Sequence, residues 1–510
     1  MARPAMPSMG DLRACHLALA VTAAFLLLKL AICPFIGLGT NEAYAVASGR
    51  VFSLSYFDHP PLHFWLAQLG AMAFGDTCWA RLPFIALGAG SSWLIFALTR
   101  SLFGARAGVW AMLAFNLSIF FCLVAGNWML PDGPLNFFLL AAALTLAPLA
   151  KGGQLSMMRW AAAGVLAGLA ALSKYHGLVF VAGVFAFLVS SGWGRRVLGT
   201  AGPWLAALVT VAVFSPVLIW NARHGWISFG FQTARAGTGH HFGGGLFLSL
   251  LVAQVALISP WVAWPLARGL ARARPSSDEG TRFLLWLGLP IAIFFTVAPL
   301  WSDDGMVQWA MPGWLLLLPL AGKYLADEAS LHHWPRAGLA VSATLFLLFV
   351  LGFVMETQSG WLGSRFPHIF RRGDPTADNV EWRPLGSIIN RVNLSDDDRM
   401  FVLTSGWRDA AKIDQGLAGD YRVAAVSNDP RNFAIGIDAK AWAGRDGWIV
   451  LENAGLPAQI SALKSCFASV GVPSTLAIQR GARADAKLTI WRGDGFTPEG
   501  CRLLSLRNMR

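Results

Sequence analysis

Long apolar runs alternate with short polar ones through the first 356 residues, and the pattern changes afterwards. Apolar stretches cover roughly 14–37, 79–99, 105–126, 133–150, 158–173, 177–193, 201–220, 245–267, 282–300, 309–325 and 337–356. About 20 apolar residues in a helix cross the hydrocarbon core, where only helices and closed barrels satisfy the backbone. The pattern therefore predicts about eleven transmembrane helices. The first run is longer than the core of a secretory signal, and no small-residue cleavage site follows it, so it is expected to stay as the first span. Two of the connecting loops, 38–78 and 221–244, are long, and long loops usually have a job. In the first, Glu42, Tyr44, Val46 and Ala47 fall at helical spacing, as do Leu62, Trp65, Leu66 and Leu69 behind Pro60-Pro61. These fragments are expected to be short helices along the membrane surface.

Beyond residue 356 the period changes. Phe401-Val402-Leu403, Val423-Ala424-Ala425-Val426, Trp448-Ile449-Val450-Leu451 and Leu488-Thr489-Ile490-Trp491 read as strands, with a helical stretch near 456–470. The expected architecture is an all-α polytopic membrane domain over 1–356 and a soluble α/β domain over 357–510.

Composition supports this division. Hydrophobic residues make up 55% and charged residues 13% of the chain, against about a quarter charged in soluble domains. Residues 1–356 hold 12 of the 28 Asp and Glu, and the shorter tail holds the other 16. The net charge of +12 would fit nucleic acid, but the basic residues of the membrane part sit mostly in short loops, where topology explains them. With the N-terminus inside, inner segments carry fourteen Lys and Arg and outer ones only Arg50, Arg81, Lys174, Arg223 and Arg235. This register makes the N-terminus cytoplasmic and places the tail outside. Lys29, within the first span, is expected to snorkel to the interface. Cys466 and Cys501 both lie in the tail and can pair in an oxidising compartment; two free thiols are the alternative. The other four cysteines have no metal-ligand spacing.

Candidate chemistry gathers on the outer face. Glu42, Asp58 and Asp132 follow spans or sit in loops there, Asp58 within Phe57-Asp58-His59-Pro60-Pro61 and Asp132 within Pro131-Asp132-Gly133-Pro134. One such acid alone is ordinarily a hydrated loop carboxylate, but several in a partly dry cleft can divide proton transfer and electrostatic organisation between them. They can also hold a divalent cation such as Mg or Mn through oxygen ligands, although no cofactor is required. Lys174, Arg81, Arg223 and Arg235 offer positive charge to an anion. The second long loop carries Trp226, Gln232 and Arg235, whose ring, amide and guanidinium suit a sugar or a phosphate, although aromatic residues also anchor loops at membrane edges. Its adjacent His240-His241 is weak evidence for a metal.

Asn41-Glu42-Ala43-Tyr44, Phe57-Asp58-His59-Pro60-Pro61-Leu62, Arg81-Leu82-Pro83, Pro131-Asp132 and Leu172-Ser173-Lys174-Tyr175, in this order, resemble the membrane glycosyltransferases of the GT-C fold. That group includes the protein O-mannosyltransferases, aminoarabinose transferases and rhizobial lipid A galacturonosyltransferases, and the resemblance covers about 12–356. It implies transfer of a sugar, with inversion, from a polyprenyl-phosphate carrier to a hydroxyl of an envelope acceptor, lipid A or another glycolipid before protein. His59 stands where the aminoarabinose enzymes have a lysine that meets the donor phosphate. His59, Lys174, Arg81 and Arg235 are thus the expected phosphate ligands, with Asn41, Tyr44, Trp226 and Gln232 around the substrates. The family usually has Asp-Glu where this chain has Asn41-Glu42. Because an amide takes no proton, Glu42 is expected to be the base, Asp58 being the second choice, with Asp58 and Asp132 orienting the acceptor or a cation.

Two other classes compete. A transporter would place ionisable groups near the midplane on broken helices and carry internal repeats, whereas here the acids lie at one face and no repeat is visible. A non-catalytic binding protein would use the tail for partners and leave the loop acids to solvation.

Overall fold

A computed structural model of the chain describes residues 9–237, 244–274, 278–301, 305–368, 374–392, 400–435, 437–453, 455–481 and 483–501. Each of the apolar stretches read from the sequence is helical. Among the described residues, six helices are long and apolar enough to cross a membrane: Met9–Phe35, Cys78–Phe103, Asp132–Lys151, Ala201–Arg223, Glu279–Leu300 and Trp334–Ser359. Three further stretches are helix pairs bent by 76°, 118° and 104°, so the count is six, or up to nine if each pair is one span. The expected eleven is higher because hydropathy does not register a bend. At the 104° bend, Ser259 takes a positive φ and Pro260 opens the next helix without an N–H to continue the previous ladder. Of the last two stretches, Met157–Ser173 has 17 residues, and Met311–Leu331 carries Lys323, Asp327 and Glu328 in its second half. The chain is a multi-pass membrane protein.

Small residues let these helices approach closely. A Cβ added at Gly88 would come within 2.3 Å of the carbonyl oxygen of Gly126, so the Leu82–Phe103 helix meets the turn after the third apolar stretch backbone to backbone. Lys29 does not snorkel: it is 1% exposed, with its ammonium packed against Gly126.

The first long loop folds as expected from its periodicity, into helices Thr40–Gly49 and Leu62–Phe74. Gly39 N donates to the Glu42 carboxylate, closing the N-terminus of the first. Pro61 immediately precedes the second, which leaves Leu69, Met72 and Phe74 exposed.

The tail is a mixed sheet of six strands, β1 Phe401–Thr404, β2 Arg422–Ala425, β3 Gly447–Glu452, β4 Phe467–Val470, β5 Ser474–Arg480 and β6 Arg483–Phe496. The order is β2-β1-β3-β6-β4, with β5 also on β6; β1 runs parallel to β2 and β3, and the other pairs are antiparallel. The helix read near 456–470 ends at Lys464, because 467–470 joins the sheet as β4. Cys466 and Cys501 form a disulfide. The sheet domain does not stand apart from the membrane part. Leu38, Tyr44, Phe64 and Phe84 share one hydrophobic cluster with Trp382, Trp407, Val423 and Val450, and the Thr40–Gly49 helix packs along the Trp407–Gly416 helix. Apolar burial of this kind fixes the first loop between two layers.

Candidate active site

Glu42 lies one turn into its helix and faces Arg81 across the start of the Leu82–Phe103 helix. Arg81 Nε and Nη2 donate to the two carboxylate oxygens at 2.7 and 2.6 Å, while Nη1 and Nη2 also reach the carbonyls of Ile36 and Gly37 at 2.6 and 2.7 Å. Glu42 further accepts from Gly39 N and Met129 N, at 2.9 and 3.1 Å. Arg81 is fully buried and Glu42 nearly so. This bidentate pair commits four of the five guanidinium N–H groups and leaves no carboxylate oxygen open to an incoming hydroxyl. Two expectations are corrected here: Glu42 is not placed as a base, nor Arg81 as a phosphate ligand, because each is consumed by the other and by the backbone that ties the first loop to the third-span turn.

Asp58 is also buried, and its carboxylate is served from three directions. Tyr44 Oη donates to Oδ1 at 2.8 Å, and Arg431 Nη1, from the sheet domain, and His59 Nδ1 stand 3.1 and 3.2 Å from Oδ2. Burial alone would raise its pKa, but His59, Arg431 and the Tyr44 hydroxyl overcome it and hold the carboxyl well below the usual carboxylate range. Burial and the Asp58 charge drive the Tyr44 phenol the other way, well above its ordinary value. Tyr44 is enclosed by Phe64, Trp407 and Phe433. Its expected place at the substrate is therefore corrected to a support under Asp58.

The neighbouring Asn432 fixes the same strip of chain. Its Oδ1 accepts from Phe57 N at 2.9 Å, and its Nδ2 donates to Tyr44 Oη and Ser48 Oγ at 2.7 and 3.1 Å. Arg431 has a φ of 46°, stacks on Trp407 at 3.8 Å and also faces Phe231. A non-glycine residue held in the left-handed region is costly and persists only where its surroundings over-determine it.

Asp132 opens the Asp132–Leu146 helix and accepts from Lys174 Nζ at 3.0 Å. Both are buried. Lys174 and His59 both bear electrostatically on His63 and on His176. Burial and the nearby His59 keep His63 neutral, well below its ordinary pKa, while His59 is partly exposed. The second long loop closes over this group through the Ile227–Gly237 helix. Gln232 Nε2 donates to the Asp58 carbonyl, Phe231 packs on Phe57 at 4.9 Å, and Ser228 shares a hydrogen bond with Tyr175 at 2.6 Å. Gln232 thus holds the loop, as does Arg235, which lies over Phe231 and Trp309. Trp226 is half exposed and packs on Phe229, which packs in turn on Tyr175. His240 and His241 lie outside the described residues.

Asn41 lines a polar cavity of about 560 Å³ between the first loop and the sheet domain, together with Trp382, Trp407, Asp409 and Lys412. Among the described residues, no group of three or more His, Cys, Asp or Glu is arranged to hold a metal ion. Glu42, Asp58 and Asp132, read from the sequence as a possible cation site, are each paired with a positive side chain.

Residues 58–220 match the family described as dolichyl-phosphate-mannose-protein mannosyltransferase. The chain is 23% identical over 325 residues to lipid A galacturonosyltransferase RgtD of Rhizobium johnstonii, spanning 60% of this chain and 64% of that relative. Its fold is similar to that of ArnT from Cupriavidus metallidurans bound to undecaprenyl phosphate, at a TM-score of 0.62 and 16% identity, covering 92% of this chain and 97% of ArnT. The chain is a membrane protein of the GT-C glycosyltransferase fold. The archaeal oligosaccharyltransferase AglB from Archaeoglobus fulgidus, in complex with an inhibitory peptide and a dolichol-phosphate, is similar over 86% of this chain and 69% of AglB, at a TM-score of 0.50 and 14% identity.

Within this GT-C chain, sequence reading missed Arg431, Asn432, Trp407 and Asp409. All four belong to the tail, read from its period only as a soluble domain, and Arg431 lies 373 positions from its partner Asp58. The signal within reach was Trp407-Arg408-Asp409 and Asp429-Pro430-Arg431-Asn432, charged and aromatic clusters at turns beside strands.

Proposed function

We propose that this protein is an inverting glycosyltransferase that moves a hexose, pentose or uronic acid from a polyprenyl-phosphate carrier to a hydroxyl of an envelope glycolipid, at the outer face of a bacterial inner membrane. The observation that carries the reading is convergence: the second long loop and the sheet domain both meet the first loop at Asp58, while Lys174 pairs with the third acid, Asp132. A phosphate leaving group needs positive charge as its bond to the sugar breaks, and His59 and Lys174 supply it. A protonated His59 both neutralises phosphate and donates a hydrogen bond; a neutral one only donates. Asp58 stays ionised and anchors His59 and Arg431 in place.

Similarity to RgtD and to ArnT with its undecaprenyl phosphate supports a lipid-linked donor and a glycolipid acceptor. The Cys466–Cys501 disulfide supports an oxidising compartment for the sheet domain, and the loop charges support a cytoplasmic N-terminus. Mass spectrometry of envelope lipids and glycoproteins, with and without the gene, tests the proposal. A sugar lost from one glycolipid species on deletion and restored by the wild-type gene is expected. Unchanged lipids with a sugar missing from proteins would refute the acceptor, and no change in either would refute transfer.

A further inference from the structure

The cavity beside Asn41 has a charge pattern that the donor site does not use. Its acids come from three segments: Asp374 and Asp378 precede the sheet, Asp409 lies in the first turn of the Trp407–Gly416 helix, and Glu452 and Asp485 end β3 and begin β6. Only Arg408 and Lys412 oppose them from the lining. Arg480 binds Asp374 and Asp485 together at 2.7 and 2.9 Å, and Asp378 accepts from Thr40 N at 3.1 Å. Lys412, 4% exposed, gives two ammonium protons to the carbonyls of Leu38 and Asp378, at 3.0 and 2.9 Å, and lines the cavity with its third to spare. Asp409 and Glu452 remain, neither in an ion pair among the described residues, and the Glu452 charge bears on Asp409. The indole faces of Trp382 and Trp407 complete the lining.

Glu42, Asp58 and Asp132 are all committed to cations, and Asn41 cannot take a proton. We propose that this cavity is the acceptor site, that it takes a neutral or amine-bearing sugar without a phosphate, and that Asp409, set by Glu452, accepts the proton of the attacking hydroxyl. The balance is simple. The acceptor oxygen bonds to the anomeric carbon, the carbon–oxygen bond to the carrier phosphate breaks with its electron pair going to the phosphate, and the hydroxyl proton goes to Asp409. Hydroxyls and ammonium groups are donors suited to carboxylates, and a sugar ring stacks on indole. Five carboxylates against Arg408, Lys412 and the Arg480 that pairs two of them leave the cavity net negative, which disfavours a phosphate. Burial and Glu452 push the Asp409 carboxyl up to about 6, near the poise a general base needs at neutral pH. Arg408 and the Ser405 hydroxyl oppose that rise. Lys412 acts on Glu452, as does Asp485.

The proposal rests on the transferase reading, so its test has two arms. Saturation-transfer NMR on the full chain in nanodiscs would compare the glucosamine disaccharide, cellobiose and glucose 1-phosphate. The first two are expected to bind at least tenfold more tightly than the phosphate, with the amine sugar weakened severalfold in Asp409→Asn and Glu452→Gln. Equal or tighter phosphate binding, no binding of any of the three, or indifference to both substitutions would overturn the site. The second arm follows transfer into extracted envelope lipids against pH. In the wild type, the rate should fall as pH drops through about 6. Asp409→Asn should lower it at least a hundredfold, and Glu452→Gln should move the acid limb to lower pH by removing a like charge. An unmoved limb in Glu452→Gln, or near-normal turnover in Asp409→Asn, would overturn the base. Transfer absent from the wild type while the sugars still bind would instead defeat the transferase reading.

Discussion

Replacing Arg81 with methionine separates a structural Glu42 from a catalytic one. The substitution keeps volume and removes four donated hydrogen bonds, two to the Glu42 carboxylate and two to the carbonyls of Ile36 and Gly37. It leaves a carboxylate that is 3% exposed with only the N–H groups of Gly39 and Met129 as partners. Removing one member of a buried pair costs about 3–5 kcal/mol, against at most about 1 kcal/mol for an exposed pair. Lysine would recover little, because a point charge cannot reproduce the parallel fork. Glu42→Gln should also destabilise, since it strands the guanidinium charge. The double variant Arg81→Met with Glu42→Gln should be more stable than the sum of the single losses predicts, a coupling of at least about 1 kcal/mol. Thermal unfolding in detergent, read by a thiol-reactive dye reaching the buried Cys33 and Cys122, measures all four proteins. Turnover per folded molecule should survive in Glu42→Gln. A Glu42→Gln protein that melts like wild type and has lost its turnover would refute this reasoning and restore Glu42 as the base.

Three further outcomes follow from the site. Lys174→Met leaves Asp132 without its cation and should weaken donor binding about tenfold or more, the worth of one charge-assisted hydrogen bond; titration with a polyprenyl phosphate checks this, and an unchanged affinity counts against a phosphate site there. Arg431→Ala removes one of the charges that keep Asp58 ionised. Because the folded pKa of Asp58 is depressed, its stabilisation is present above the unfolded carboxylate value and is lost as pH falls through the folded one. The variant should lose stability at a higher pH than wild type, and identical acid-unfolding curves would sink the idea. The double replacement of Cys466 and Cys501 with serine opens a bridge between residues 35 apart and should cost the sheet domain about 3–4 kcal/mol by the loop-entropy relation, seen as a lower melting temperature that reductant no longer affects.

Local pattern carried the helices well, because amphipathic spacing is a property of neighbouring residues. The Thr40–Gly49 and Leu62–Phe74 helices were legible from four residues each, and the strands from short apolar runs of β-branched and aromatic residues. Breaks were less legible, since the bend at Ser259-Pro260 depends on what packs against it. At the site, residue type was a good guide to place and a poor guide to role. Glu42, Asp58, Asp132, His59 and Lys174 do lie at the loops expected, but whether an acid is a base or a strut is decided by its partner. For Glu42 that partner is 39 positions away and for Lys174 it is 42. No spacing within a motif reveals which pairs close.

The partner of Asp58 has a further consequence. Ionising a buried carboxylate is costly unless charges are brought to it, and Arg431 arrives only when the sheet domain docks on the first loop. Docking and the charge state of Asp58 are therefore one linked equilibrium: whatever holds the proton off Asp58 favours the docked domain, and the docked domain holds the proton off. The same docking presses Trp407 against Tyr44, sets Asn432 on Phe57 and Ser48, and forms the wall of the cavity that carries Asp409. A first loop without the sheet domain would lack its fixed anion and half of its cavity together. The tail that reads in sequence as a separate soluble domain is thus a structural half of the site.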